Sequence, residues 1–404
     1  MPEGSPLRIA LIRQRYTPYG GAERFVARAL DALRSRGMEV TLVTRRWEGE
    51  AAGPTLRCDP FYLGSLWRDW SFARCVCRLL ARQPFDLVQS HERLACCDIY
   101  RAGDGVHRVW LAQRARAAGW LARLALKLSP YHRYVLAAER RLFESPRLAA
   151  VICNSHMVRE EILAHFAIAP EKLHVIYSGV DLAHFHPPSP EARRAARQRF
   201  GLADAPVFLF LGSGYGRKGL ATALAALTHL PREIRLLVVG RDRREGHYRR
   251  LAARLRVADR VRFLGPLVEV LPCYHAADAL VLPTLYDPFP NVALEALACG
   301  LPVITSFKCG AAEILEEGVT GYVRDALDSA GVAAAMAELL DPVRRAAMGE
   351  AARARAQSLD SETATRALIA LYERLLPRRP GPRSAKLPDF SAPSAFPPQP
   401  TDSP

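Results

Sequence analysis

Long apolar runs are missing from this sequence of 404 residues. Arg, His or Pro interrupts every candidate well short of the ~20 residues that a bilayer-spanning helix needs. The opening MPEGSPLRIALIR lacks the charged stretch, apolar segment and small-residue cleavage site of an export leader, so the cytoplasm is the expected compartment. Paired cysteine spacings are missing as well. The nine cysteines stand at 58, 75, 77, 96, 97, 153, 273, 299 and 309, an odd number without a CxxC. That pattern argues against a disulfide framework and a structural zinc site, and buried thiols are the expectation. There is no Asp-x-Asp pair to hold a catalytic divalent ion. Nor is there a helix-turn-helix, RNP-like, KH or zinc-finger signature that would point to nucleic acid.

Positive charge, in contrast, is plentiful: the net charge is +15 at pH 7, in a chain that is 50% hydrophobic and 24% charged. The hydrophobic and charged fractions are ordinary for a soluble globular enzyme, and the length favours two domains. Arg is spread over many segments rather than concentrated in one stripe. An anionic lipid surface or a polyanionic small molecule therefore fits the excess better than a nucleic acid.

Strand and helix patterns alternate along the chain. Leu7–Ile12 is a short apolar run, Tyr19-Gly20-Gly21 a turn, Ala22–Ser35 amphipathic and Met38–Thr44 a second strand. Further strands are expected at Asp86–Ser90, Ala149–Cys153 and Leu173–Tyr177, with Asn154-Ser155 capping a helix that runs to Phe166. A Pro-containing stretch, His184-Phe185-His186-Pro187-Pro188, closes this series. A second series follows at Val207–Gly212, Ile234–Gly240, Val261–Gly265, Ala279–Pro283, Pro302–Thr305 and Tyr322–Arg324. Two such series predict an α/β protein of two doubly wound, Rossmann-like domains facing a central cleft, with ligands at the carboxyl ends of the strands. The expected boundaries are 1–186 for the first domain and 187–360 for the second. Residues 361–376 form a C-terminal helix expected to pack back on the first domain, and 377–404 a disordered Pro/Ser-rich tail.

Two segments of the second series could carry chemistry. Pro283-Thr-Leu-Tyr-Asp-Pro-Phe-Pro-Asn-Val-Ala-Leu-Glu-Ala-Leu-Ala-Cys-Gly300 leaves a strand, crosses a loop and enters a helix near Asn291. The start of that helix offers free N–H groups and a positive dipole end to a pyrophosphate. Glu295, one turn in, is placed to accept hydrogen bonds from the hydroxyls of a ribose, and Asp287 in the loop from those of a sugar. The same two residues also fit a turn cap and a solvated helix position. Gly212-Ser-Gly-Tyr-Gly-Arg-Lys-Gly219 lacks Walker A spacing, yet Arg217 and Lys218 in a Gly-rich turn suit an anion. A basic surface turn would look the same.

These segments, the Gly20-Gly21 turn and the double α/β series resemble glycosyltransferase family 4, the retaining enzymes of GT-B fold. Asp287-x7-Glu295 matches the Glu-x7-Glu signature of that family, followed by its typical Ala-x-Ala-Cys-Gly-x-Pro-Val. Within it, Tyr16-Thr-Pro-Tyr-Gly-Gly, Thr44-Arg-Arg-Trp-Glu-Gly and Asp98-Ile-Tyr-Arg-Ala-Gly-Asp104 are similar to stretches of transferases that add glucose to inner-core heptose of lipopolysaccharide. The resemblance runs from about Leu7 to Leu376. It implies a metal-independent hexosyltransferase taking a nucleotide-sugar donor such as UDP-glucose, with no other cofactor. Gly20 and Gly21 would let backbone approach donor or acceptor. Arg217 and Lys218 would hold the diphosphate and act in catalysis, and Glu295 would hold the ribose. Asp287 would bind the donor sugar with the backbone of Phe289, Asn291 and Val292. Asp104 would stand near the reacting carbon, with His91 a lesser candidate. Asp287 is one methylene shorter than the family's Glu, which bears on the donor sugar.

Val106–Leu128 interleaves Trp110, Leu111, Trp120, Leu121, Leu124 and Leu128 with Arg108, Arg114, Arg116, Arg123 and Lys127. Such a segment fits an anionic membrane surface, and equally a helix docked on the first domain with a solvated basic face. The expected place is the inner face of the inner membrane, as a peripheral protein. Alternatives from the same architecture are a family 4 transferase with another glycan or lipid-linked acceptor, a nucleotide-sugar 2-epimerase, and a non-catalytic descendant.

Overall fold

The computed structural model describes residues 7–16, 33–34, 37–47, 53–202 and 204–376. The Gly20-Gly21 turn, most of the Ala22–Ser35 segment and the tail 377–404 lie outside the described residues.

Two parallel sheets carry the fold. The first has seven strands: β1 (Arg8–Ile12), β2 (Glu39–Thr44), β3 (Thr55–Arg57), β4 (Leu87–Ser90), β5 (Ile99–Arg101), β6 (Ala150–Cys153) and β7 (Leu173–Val175). Their order is β3-β2-β1-β4-β5-β6-β7. The second has six: β8 (Val207–Leu211), β9 (Arg235–Val239), β10 (Val261–Gly265), β11 (Ala279–Val281), β12 (Val303–Ser306) and β13 (Gly321–Arg324), ordered β10-β9-β8-β11-β12-β13. Central strands such as RIALI and VFLFL are apolar without alternation because helices cover both of their faces. Both orders reverse direction about their first strands, β1 and β8, and the crevice at such a reversal is where open α/β sheets bind ligands. This is the GT-B architecture.

Strand β3 was not expected: it is a three-residue edge strand with exposed ends, so it makes no long apolar run. The chain crosses between the domains twice, and the crossings are bonded to each other: Val180 N–H donates to Leu359 O and Ser361 N–H to Val180 O. The helix Ser361–Leu375 then packs Leu368, Leu371 and Tyr372 beneath the first sheet, against Ile9, Leu11 and Leu87.

The cysteine expectation needs correction. Cys77 and Cys96 form a disulfide, while the other seven cysteines are free. The fold lays helix Gly64–Arg82 beside the segment after β4, an adjacency that spacing along the chain does not disclose. Val106–Leu128 forms two helices, His107–Arg116 and Trp120–Leu128, separated around Gly119. Arg123 donates to the carbonyls of Ala115 and Ala118 at the end of the first, and Arg116 pairs with Asp325 of the other domain. Two of its basic residues are therefore structurally engaged. Among the described residues no helix is long and apolar enough to cross a membrane.

Candidate active site

The Gly-rich turn after β8 is fixed by its own backbone. Tyr215 N–H donates to Asp242 Oδ2 at 2.7 Å, and the Tyr215 hydroxyl donates to Gly240 O. Gly219 has φ +82°, and a Cβ there would meet the Pro283 carbonyl at 1.9 Å, so the turn lies directly on the exit of β11. The Arg217 carbonyl accepts from Leu285 N–H and from the Thr284 hydroxyl, which completes the seam.

Across this seam the expected diphosphate and sugar residues meet in one cluster. Arg217 and Lys218 both donate to Asp287 Oδ2, at 2.7 and 2.6 Å. Lys218 is buried and Arg217 partly open. Burial pushes the Asp287 carboxyl up, but the two cations outweigh it and hold the group below its ordinary range. Burial likewise works against the Arg217 charge, and Asp287 more than compensates. Two cations against one carboxylate leave the cluster one positive charge in excess.

Glu295 is not a solvated helix residue. It is 4% exposed on helix Asn291–Ala298, and its Oε2 accepts from the Tyr274 hydroxyl at 2.7 Å. The first turn of that helix has no side-chain cap, Pro290 being the residue before it. Asn291 and Val292 are half-buried there, and Phe289 packs on Tyr177. Asp287 does not cap its own turn; its backbone is pinned instead by Asp287 N–H to Lys308 O and Gly310 N–H to Asp287 O.

Asp104 enters from the first domain, in the loop after β5. Its side chain is 66% exposed, with Arg93 at 3.4 Å, and its charge reaches Arg217 across the cleft. The structure thus gathers Asp104, Arg217, Lys218 and Asp287, with Glu295 deeper in the second domain. His91 is buried against Gln89 and kept neutral by burial and by Arg13 and Arg101. Sequence reasoning missed the support behind Asp104. Arg93 pairs with buried Glu139 at 2.9 Å, and Glu139 accepts the His107 N–H with both oxygens. His107 meets His132 at 3.1 Å, and burial together with Arg93 pushes its pKa down to about 3. A glutamate among apolar neighbours in Pro130–Phe143 was the only available signal.

Further contacts join the domains beside the cleft. The Ser155 hydroxyl caps helix His156–His165 and donates to Pro288 O. Glu313 accepts from His156 N–H and Met157 N–H at the same helix start, and from the Tyr177 hydroxyl.

Two family models match the chain: Glycosyltransferase Family 4 over residues 19–184 and Glycosyl transferases group 1 over 205–342. The chain belongs to glycosyltransferase family 4. It is 28% identical to the lipopolysaccharide glucosyltransferase WaaG of Escherichia coli (strain K12), over 78% of this chain and 84% of WaaG. A solved structure of WaaG, a glycosyltransferase involved in lipopolysaccharide biosynthesis, superposes with a TM-score of 0.80 at 25% identity, covering 90% of this chain and 99% of that one. A glycogen synthase of Mycobacterium tuberculosis (strain H37Rv) is 33% identical over 71% of this chain and 67% of its own length. The D-inositol 3-phosphate glycosyltransferase of Acidothermus cellulolyticus is 28% identical over 93% and 92%. Relatives with differently named activities therefore match most of this chain.

Proposed function

We propose that this glycosyltransferase moves glucose from UDP-glucose, with retention, onto an inner-core heptose of lipopolysaccharide. The observation that carries the donor half is the Arg217–Lys218–Asp287 cluster: an excess positive charge, set in a rigid turn, beside an uncapped helix start. A departing nucleoside diphosphate develops negative charge on its β-phosphate, and fixed cations in a water-poor cleft stabilise that charge. Arg217 and Lys218 supply them without calling on a divalent ion. The buried carboxylate of Glu295 receives the ribose hydroxyls, and Asp287 keeps Oδ1 for a sugar hydroxyl while Oδ2 holds the cations. The backbone of Phe289, Asn291 and Val292 completes the sugar pocket. Similarity to WaaG along most of both chains supports the lipopolysaccharide acceptor.

Transfer with retention proceeds on one face of the sugar. The bond from the anomeric carbon to the phosphate oxygen breaks, the bond to the acceptor oxygen forms, and the acceptor proton passes to the departing phosphate. Asp104, exposed at the cleft and held by Arg93, orients the acceptor hydroxyl near that carbon. We place the enzyme on the inner face of the inner membrane. Trp120, Leu121, Leu124 and Leu128 form an exposed apolar stripe flanked by Arg123 and Lys127 and suited to an anionic surface.

The test is a donor and acceptor screen in EDTA. UDP-glucose, UDP-galactose, UDP-N-acetylglucosamine and GDP-mannose are each paired with heptose-terminated core, inositol phosphate and a maltooligosaccharide. Glucose transfer to the core alone is the expected result. Transfer to another acceptor would reassign the substrate, and epimerisation of the donor would overturn the transferase reading.

A further inference from the structure

One side chain of the donor loop belongs to the wrong core. Tyr286 precedes Asp287 in the second domain, yet its ring is buried in the hydrophobic cluster of the first, with Val106, Val109 and Val158. Its hydroxyl accepts from Val106 N–H at 2.8 Å and donates to Glu161 Oε2 at 2.7 Å. The other oxygen of Glu161 accepts from Lys308 Nζ of the second domain at 2.8 Å. Val106 closes the Ala102–Val106 loop, which carries Asp104. Within that loop Gly105 has φ +67°, and a Cβ there would fall 2.1 Å from the Tyr286 hydroxyl. At its other end, the Tyr286 carbonyl accepts from Arg217 Nη1 at 3.2 Å, the same nitrogen that reaches Asp287. A single residue therefore touches the acceptor-side loop through its hydroxyl and the donor-side cation through its backbone.

A buried tyrosine with a satisfied hydroxyl can be no more than interface filling. Two features argue for more. Both polar partners of the hydroxyl among the described residues lie in the opposite domain, so these bonds need the two domains in contact across the cleft. The partners are also not incidental: one is the amide that fixes the Asp104 loop, and the other is a carboxylate whose cation, Lys308, returns from the second domain. An apolar contact would have served adhesion alone.

We propose that Tyr286 is a positioning residue that couples closure of the cleft to the placement of Asp104 opposite Arg217 and Lys218. It touches neither substrate. Its hydroxyl holds the Asp104 loop in one geometry, and only when the donor loop has docked. The catalytic part of this inference rests on the transferase reading, whereas the coupling itself does not.

Tyr286→Phe keeps the ring and its packing and removes only the hydroxyl. Hydrogen–deuterium exchange over residues 102–106 tests the coupling with no substrate: faster exchange at Val106 is expected, and unchanged exchange overturns the proposal. In the transfer assay kcat should fall about 10- to 100-fold, the scale of a roughly 1 Å misplacement. UDP affinity should stay within about threefold of the wild type, because Arg217, Lys218 and Glu295 are untouched. A merely structural role would lower the melting temperature and leave kcat of the folded protein as it was, and that outcome overturns the positioning role. Failure of the wild-type protein to transfer from any donor would refute the transferase reading instead, and the exchange result alone would then decide the coupling.

Discussion

Replacing Asp287 with Asn should destabilise the donor-free protein and make it unusually responsive to UDP. In the wild type one carboxylate oxygen sits 2.6 Å from Lys218 and 2.7 Å from Arg217. The Asn amide keeps the shape and removes the charge. Arg217 is open enough to regain water, but the Lys218 side chain is only 9% exposed and is left as a nearly unpaired buried cation. Removing one partner of a buried pair costs about 3–5 kcal/mol, and the relief open to Arg217 favours the lower end. At about 2–4 °C per kcal/mol for a domain of this size, 3 kcal/mol corresponds to a fall of about 6–12 °C in melting temperature. A diphosphate supplies the missing anion. In calorimetry, UDP should therefore raise the variant's melting temperature by more than it raises that of the wild type, in which Asp287 already occupies the cations. A variant melting within about 2 °C of the wild type, or equal UDP shifts in the two proteins, would refute the assignment of that cluster as an anion site held in balance by Asp287.

Lys218→Ala removes the buried cation, and turnover should fall by about 100-fold or more while circular dichroism stays native; transfer at the wild-type rate would end the phosphate role. Changing Trp120, Leu121, Leu124 and Leu128 together to Ser should abolish sedimentation with anionic vesicles without altering stability, because all four are exposed. Retained binding would remove that helix from the membrane surface. His107, with its pKa pushed down to about 3 by burial and Arg93, stays neutral in the folded state while the unfolded chain takes up a proton below about pH 6.5. Stability is then lost progressively as pH falls from 6.5 toward 3, against neighbours His132, Arg93 and Glu139. Denaturation midpoints at pH 7 and pH 5 should draw closer together in His107→Gln, and an unchanged gap would contradict the assignment.

Much of the fold was legible because parallel strands buried on both faces leave continuous apolar runs such as RIALI, VFLFL and RLLVV. Their punctuation is local too: Ser155 does cap its helix, and Gly300 with φ +74° ends the one that begins at Asn291. Arg217, Lys218, Asp287 and Glu295 could be picked out because each stands in a short segment whose neighbours define its loop. Their mutual arrangement could not. The cluster joins residues 69 and 70 apart, and the bond from Val106 to Tyr286 spans 180. Tyr286 carries no signal of its own in the motif because its partners belong to the other domain. The pairing of Arg93 with Glu139 and the bridge between Cys77 and Cys96 were hidden because each joins different elements of the first domain, 46 and 19 residues apart. The edge strand Thr55–Arg57 escaped notice because half-exposed residues carry no apolar signature.

The two adjoining crossings at Val180 and Asp360 have a consequence for anyone who would take this molecule apart. The first domain is not a single cut of the chain, whereas the second is one continuous stretch between the crossings. A fragment ending near residue 180 would lack Leu368, Leu371 and Tyr372 and would leave Ile9, Leu11 and Leu87 facing solvent beneath its sheet. Exchanging donor specificity between relatives therefore calls for splicing at two neighbouring points, so that residues between the crossings travel as one block while the terminal helix remains with its original host.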